Sequence, residues 1–178
     1  MKYIIPLLFI FLSCTDIDKA DYVYDTVKVY NIKNAERYTF CILYYSAMYH
    51  LDSAIVTRLI REETHFDHNK ISPVGARGAG QVRPEIWEHL LYRIDSENLG
   101  RYIIQKKIKD TRRFYHRIGY GIELSCIVLS HYLDKYGSYE MALLNYHMSR
   151  NSKYYWDLRK GRKPIMSCKY ISNIMTED

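Results

Sequence analysis

From Asn34 onward, apolar residues return every three or four positions, and glycines rather than strand-like alternation interrupt the stripes. A chain written this way buries its apolar surface by packing helix on helix. Tyr38, Ile42, Tyr45 and Met48 mark one helix, with Asn34 as its N-cap and Glu36 in its first turn. Asp52-Ser53 opens a second helix that continues to about Thr64. A Gly-rich loop follows from Asn69 to Arg83, and Pro84 with Glu85 restarts a helix. Ile104, Ile108, Thr111, Tyr115 and Ile118 predict another, with Gly119 and Gly121 punctuating its end. Ile122, Cys126, Leu129, Leu133 and Tyr136 stripe the next, which Gly137 stops; Ser138 then caps a helix carrying Ala142, Leu143 and Tyr146. In residues 15–33 the pattern changes. Tyr22, Tyr24, Val27 and Val29 alternate, which predicts a tether or a short extended segment. The expectation is a mainly helical, all-α chain with one domain over residues 34–178.

The N-terminus reads as an address. Lys2 precedes an apolar run from Tyr3 to Leu12, too short to span a bilayer, which takes about 20 residues. The run ends on Phe11-Leu12-Ser13-Cys14, which resembles a bacterial lipobox. Residues 1–14 are therefore expected to be a signal peptide with a possible lipidation site at Cys14, and the product an exported protein of the periplasm or a membrane-anchored lipoprotein. Cys41, Cys126 and Cys168 then remain, an odd number allowing at most one bridge, and no CxxC or HxxxH spacing points to a metal. Hydrophobic residues at 48 % against charged residues at 26 % exclude wholesale disorder. The balance of 26 Lys+Arg over 20 Asp+Glu leaves +6, which suits anionic partners.

One acidic side chain sits where a helix should be apolar. At about 100° per residue, Ile55, Val56, Leu59, Ile60 and Phe66 share a face, and Glu63 falls within it. Glu62 is displaced toward Arg58, its i−4 neighbour, as a surface charge would be. A carboxyl forced into apolar surroundings resists ionising, so it keeps a proton to donate near neutral pH.

The residues around Glu63 carry a resemblance. Glu63-Thr64-His65-Phe66, then Ser72-Pro73-Val74-Gly75-Ala76-Arg77-Gly78-Ala79-Gly80-Gln81, then Pro84, resembles the catalytic segment of the soluble lytic transglycosylases: E-S-x-F, S-x-x-G-A-x-G-L-M-Q and a Pro. Gly121-Ile122-Glu123-Leu124-Ser125 is similar to the family's N-I-x-x-G, Ala142 to Ser149 to its A-L-x-A-Y-N-x-G, and Pro164 with Tyr170-Ile171 to its closing helix. The resemblance covers about residues 44–176. It implies a lysozyme-like fold with a catalytic cleft and cleavage of the MurNAc–GlcNAc bond of peptidoglycan without water, leaving 1,6-anhydro-MurNAc. It implies Glu63 as the sole acid and base, with Thr64, Gly78, Gln81, Tyr146, His147 and Tyr170 toward the sugar, and no cofactor or metal. Where the family has L-M before the Gln, this chain has Ala79-Gly80, which removes bulk from the groove floor. The family's Asn and Gly of Y-N-x-G are His147 and Ser149, and those of N-I-x-x-G are Gly121 and Ser125.

Two other readings follow from the same residues. A lysozyme-type hydrolase would need a second carboxylate to place a water, for which Glu123, Asp67 and Glu85 are candidates. A catalytically idle peptidoglycan-binding or scaffold protein would account for the altered positions but not for Glu63. The basic stretch Lys106, Lys107, Lys109, Arg112, Arg113 and Arg117 reads as a solvated helix face, export arguing against nucleic acid. The loop from Gly75 to Gly80 lacks the Gly-Lys-Ser/Thr of a phosphate loop.

Overall fold

The second predicted helix is the centre of the molecule. It spans Ser53–Thr64, and Asp52 caps it by accepting the Ala54 amide at 2.8 Å. Among the described residues, six more helices and two short 3-10 turns are arranged around it. The computed structural model describes residues 14–83, 117–148 and 152–176. The expected leader through Ser13, the helix expected from Pro84, the stripe from Ile104 to Tyr115 and all of the basic stretch but Arg117 lie outside the described residues.

In chain order the helices are α1 (Cys14–Asn31), α2 (Ala35–Met48), α3 (Ser53–Thr64), α4 (Ile118–Tyr136), α5 (Tyr139–His147), α6 (Lys153–Arg159) and α7 (Lys169–Met175). The 3-10 turns are Ile32–Asn34 and Ile165–Ser167. Among the described residues there are isolated antiparallel bridges, in the loop after α3, but no named strand. None of their helices is long and apolar enough to cross a membrane. Helices α1, α2, α4 and α7 pack directly on α3. Val56, Leu59 and Ile60 are sealed from solvent, joined in one core by Ile42 of α2, Ile122 and Leu129 of α4 and Ile171 and Ile174 of α7.

The segment read as extended is a helix. Ala20, Val23, Val27 and Asn31 turn inward at helical spacing, with Val23 and Val27 fully buried, whereas Val29 is 78 % exposed. The alternation of Tyr22, Tyr24, Val27 and Val29 mixed the two faces. Asn34 precedes α2 as expected, but its side chain makes no cap; it donates to Asn31 Oδ1 at 3.1 Å. Gly119 and Gly121 do not end a helix either. Both lie in the first turn of α4, and a β-carbon on Gly119 would make an ordinary contact with Cys41 Sγ at 3.4 Å, where α4 faces α2. Gly137 and Ser138 behave as predicted: Gly137 closes α4 with φ +72°, and Ser138 Oγ accepts the Met141 amide. Cys41, Cys126 and Cys168 are buried free thiols.

Arg58 joins the first and last helices to the central one. It is 4 % exposed, and its Nε donates to the Ile174 carbonyl near the end of α7 while Nη1 reaches the Tyr22 hydroxyl. A hydrogen bond from a charged donor contributes about 1.5–3 kcal/mol. Arg58→Met should therefore cost about 2–3 kcal/mol in urea unfolding, with hydrogen exchange accelerated first in residues 169–175. Uniform acceleration across all helices would contradict this assignment.

Candidate active site

Helix α3 ends beside Glu63 in an unusual turn. His65 and Phe66 both take left-handed backbone, with φ +53° and +61°. For residues with a β-carbon this costs about 1–2 kcal/mol each. The turn is held from outside: the Phe66 carbonyl accepts the Tyr38 hydroxyl at 2.7 Å and the Asn31 amide at 2.9 Å, while its buried ring meets Tyr38 edge-on. The chain is thereby folded back across the end of α3. Two antiparallel bridges, Ile71 with Arg77 and Arg77 with Val82, shape the returning loop.

Glu63 faces a cavity of ≈ 210 Å³ between this loop and helices α4 and α5. Gln81, Val82 and Arg83 wall it from the loop, Val128 from α4, and Tyr146 and His147 from the end of α5. Tyr170 of α7 donates to Glu63 Oε1 at 2.6 Å, and its ring stacks on His147 with centroids 3.8 Å apart. Lys70 Nζ donates to the Glu63 backbone carbonyl at 2.8 Å. Burial pushes the Glu63 carboxyl up to about 7; the Tyr170 hydrogen bond and the Lys70 charge pull the other way, and Glu62 adds to the rise. Burial, and then the Glu63 charge, hold both Tyr146 and Tyr170 well above the ordinary phenol range, so both stay protonated. Burial lowers the His147 pKa, favouring the neutral ring.

The residues singled out in the sequence divide into two groups. Glu63, Gln81, Tyr146 and His147 line the cavity, and Tyr170 stands against Glu63. Thr64 and Gly78, expected toward the sugar, do not line it. Thr64 is buried, its hydroxyl donating to the Ala79 carbonyl at 2.8 Å, because one step along the helix turns it about 100° from Glu63. Gly78, at φ +74°, turns the loop and presents its carbonyl to the Gln81 amide side chain. Gln81 Nε2 also donates to the Lys70 carbonyl, so this side chain staples the loop as well as facing the cavity. The groove floor is not emptied at Ala79-Gly80, because Ser125 and Tyr146 fill the space beside Gly80. Lys70 was not anticipated: a lysine seven residues beyond Glu63 in a loop carries no periodic signal.

The candidate second carboxylates lie elsewhere. Glu123 is offset by two residues from Ser125 and points toward α2, where Tyr45 and Tyr49 bond it; burial lifts its carboxyl to about 7 as well. Asp67 is exposed, accepting the Asn69 amide. Glu85 lies outside the described residues. Among the described residues that line the cavity, Glu63 is the one carboxylate.

This geometry defines a class: an all-α domain with a half-buried acid at the end of its central helix, facing a cavity. Comparison with known proteins agrees with it at the level of fold. No protein-family model and no curated protein matches the chain. Among solved structures it is similar to an inactive mutant of the lytic transglycosylase Slt from Pseudomonas aeruginosa, with TM-score 0.57 and 15 % identity, over 80 % of this chain and 23 % of that one. The chain therefore has a lytic transglycosylase-like fold and spans less than a quarter of that protein's length.

Removing the phenol that stabilises the ionised carboxyl should raise its pKa further. Glu63 is expected to titrate near 7 by carboxyl-carbon NMR, and Tyr170→Phe and Lys70→Met should each move it upward. A downward shift in Tyr170→Phe would contradict the assigned hydrogen bond.

Proposed function

We propose that this protein is a peptidoglycan lytic transglycosylase in which Glu63 serves as both general acid and general base. The observation that carries this reading is the Glu63 carboxyl, which burial raises to about 7, facing a cavity to which the described residues contribute no second carboxylate. In the first step the Glu63 carboxyl donates its proton to the oxygen of the MurNAc–GlcNAc bond, and the bond from that oxygen to C1 breaks. The N-acetyl oxygen of the same sugar shares the positive charge left at C1, a substrate-assisted route that dispenses with a second carboxylate. The Glu63 carboxylate then takes the proton of the C6 hydroxyl as O6 bonds to C1. The 1,6-anhydro ring closes, Glu63 regains its proton, and no water is consumed.

The neighbours fit these steps. Tyr170 donates to the ionised form and so stabilises Glu63 after it has given up its proton. Gln81, His147 and Arg83 supply polar groups on the cavity wall for hydroxyl, amide and carboxylate groups of a glycan strand. A hydrolase with Glu123 as the water-positioning base is less well supported, since that carboxyl is bonded to Tyr45 and Tyr49 on the α2 side. The proposal includes export by the apolar leader and anchoring through a lipid on Cys14; glycan strands are the partner, with no cofactor.

Mass spectrometry of peptidoglycan digests tests the reaction. Wild type should release ends in anhydro-muramic acid, Glu63→Gln none, and Glu62→Gln close to wild-type amounts, because Glu62 meets Asn173 at 3.1 Å rather than the cavity. Products one water heavier would assign a lysozyme, and wall binding without cleavage a scaffold. With the proton donor at about 7, the rate should fall about tenfold from pH 6 to pH 8, as the protonated fraction falls. Cys14→Ser should release the protein from the membrane fraction; unchanged fractionation would refute the anchor.

A further inference from the structure

The loop that carries Gln81 meets α4 at Gly80. This glycine is buried, yet its φ is not among the positive ones, so backbone conformation does not demand glycine there. Space does. A β-carbon on Gly80 would overlap Ser125 Oγ outright and stand 2.8 Å from both Ser125 Cβ and Tyr146 Oη. Neither neighbour is free to give way. Ser125 is fully buried in the middle of α4, with its hydroxyl donating to the Gly121 carbonyl at 2.8 Å. Tyr146 Oη donates to the Gly80 carbonyl itself at 2.7 Å. The serine occupies the volume that a side chain at 80 would take, and the missing side chain lets the Gly80 carbonyl reach the tyrosine.

We infer that Gly80 and Ser125 form a reciprocal steric pair that positions the candidate active site. Neither lines the cavity, but each adjoins what does: Gln81 follows Gly80, Val128 lies one helical turn beyond Ser125, and Tyr146 is bonded to Gly80. The seat of Ser125 against the loop backbone sets how deeply the loop docks on α4. It thereby fixes the wall of Gln81 and Tyr146 that faces Glu63. Ser125 is thus a positioning residue, acting through Gly80 and Tyr146. The role rests on the Glu63 reading of the site, while the steric coupling itself does not.

The test is a reciprocal exchange in the mature chain, comparing Gly80→Ala, Ser125→Gly and the combined variant. Three signals are read on each: glycan cleavage, the NMR titration of Glu63, and the thermal melt. Gly80→Ala pushes the loop off α4, admits water to Glu63 and should lower its pKa toward the ordinary carboxylate range. Cleavage should fall about 100-fold, mainly in kcat, as misplacement by about 1 Å can cause. Ser125→Gly leaves a gap beside Gly80 and should give a smaller loss. The combined variant should recover the Glu63 titration, the melt and a large part of the cleavage, incompletely because Tyr146 Oη must still move aside. If Gly80→Ala fails to fold, a combined variant that folds supports the pair, and one that does not overturns it. A Gly80→Ala protein that titrates and melts like wild type also overturns it, as does a combined variant no better than Gly80→Ala. A wild-type chain that cleaves no glycan would defeat the proposed function, while the titration and the melt would still report the coupling.

Discussion

The arrangement depends on keeping one carboxyl group out of water at the wrong end of a helix. The last turn of α3 presents carbonyl oxygens, whose partial negative charge disfavours an anion beside them. Burial adds to that cost. Lys70 binds the Glu63 carbonyl, and Tyr170 gives the carboxyl its direct hydrogen bond. Delivering Tyr170 there requires that α7 lie in register along α3. Three contacts set that register in antiparallel order: Arg58 to Ile174, Glu62 to Asn173, and Glu63 to Tyr170. The surface acid, the buried arginine and the candidate catalytic acid on one helix thus share a second helix as their common partner.

Strain is concentrated at the margins of the same loop. His65, Phe66 and Gln81 hold left-handed backbone without being glycine, and each is fixed by contacts beyond its neighbours in sequence. Phe66 is held by Asn31 and Tyr38, whereas the Gln81 side chain reaches Lys70 and Gly78. Such conformations persist where the surroundings over-determine them, and they gather at sites that must be rigid before a ligand arrives. The start of the loop is consequently held in shape by α1 and α2, helices that contribute nothing to the cavity wall.

Much of this was legible in the chain because local rules and tertiary packing agree there. The α3 stripe placed Glu63 among apolar residues, Asp52 and Ser138 capped as their types prefer, and Gly137 stopped α4 in the left-handed region. Legibility failed where a residue's role is set by something distant. Gly119 looked like punctuation but lies inside α4, facing Cys41 of another helix, and Gly80 looked like lost volume although Ser125 and Tyr146 fill it. Thr64 adjoins Glu63 in sequence, but about 100° of helical rotation turns it to the Ala79 carbonyl. In α1 only one narrow line of small and β-branched residues is buried, so the charges and tyrosines between them hid its period.

That first helix changes the mechanics of any attachment at its start. Cys14 begins α1, which continues without a break to Asn31, and Asn31 bonds the carbonyl at the turn beside Glu63. Eighteen helical residues rise about 27 Å and make a strut where a flexible leash was expected. An enzyme on a leash sweeps a volume set by the slack in its chain. One on a strut is held at a nearly fixed height, so under the proposed anchoring and function a lipid on Cys14 would set the reach of the groove by the length of α1 and not by slack in the chain.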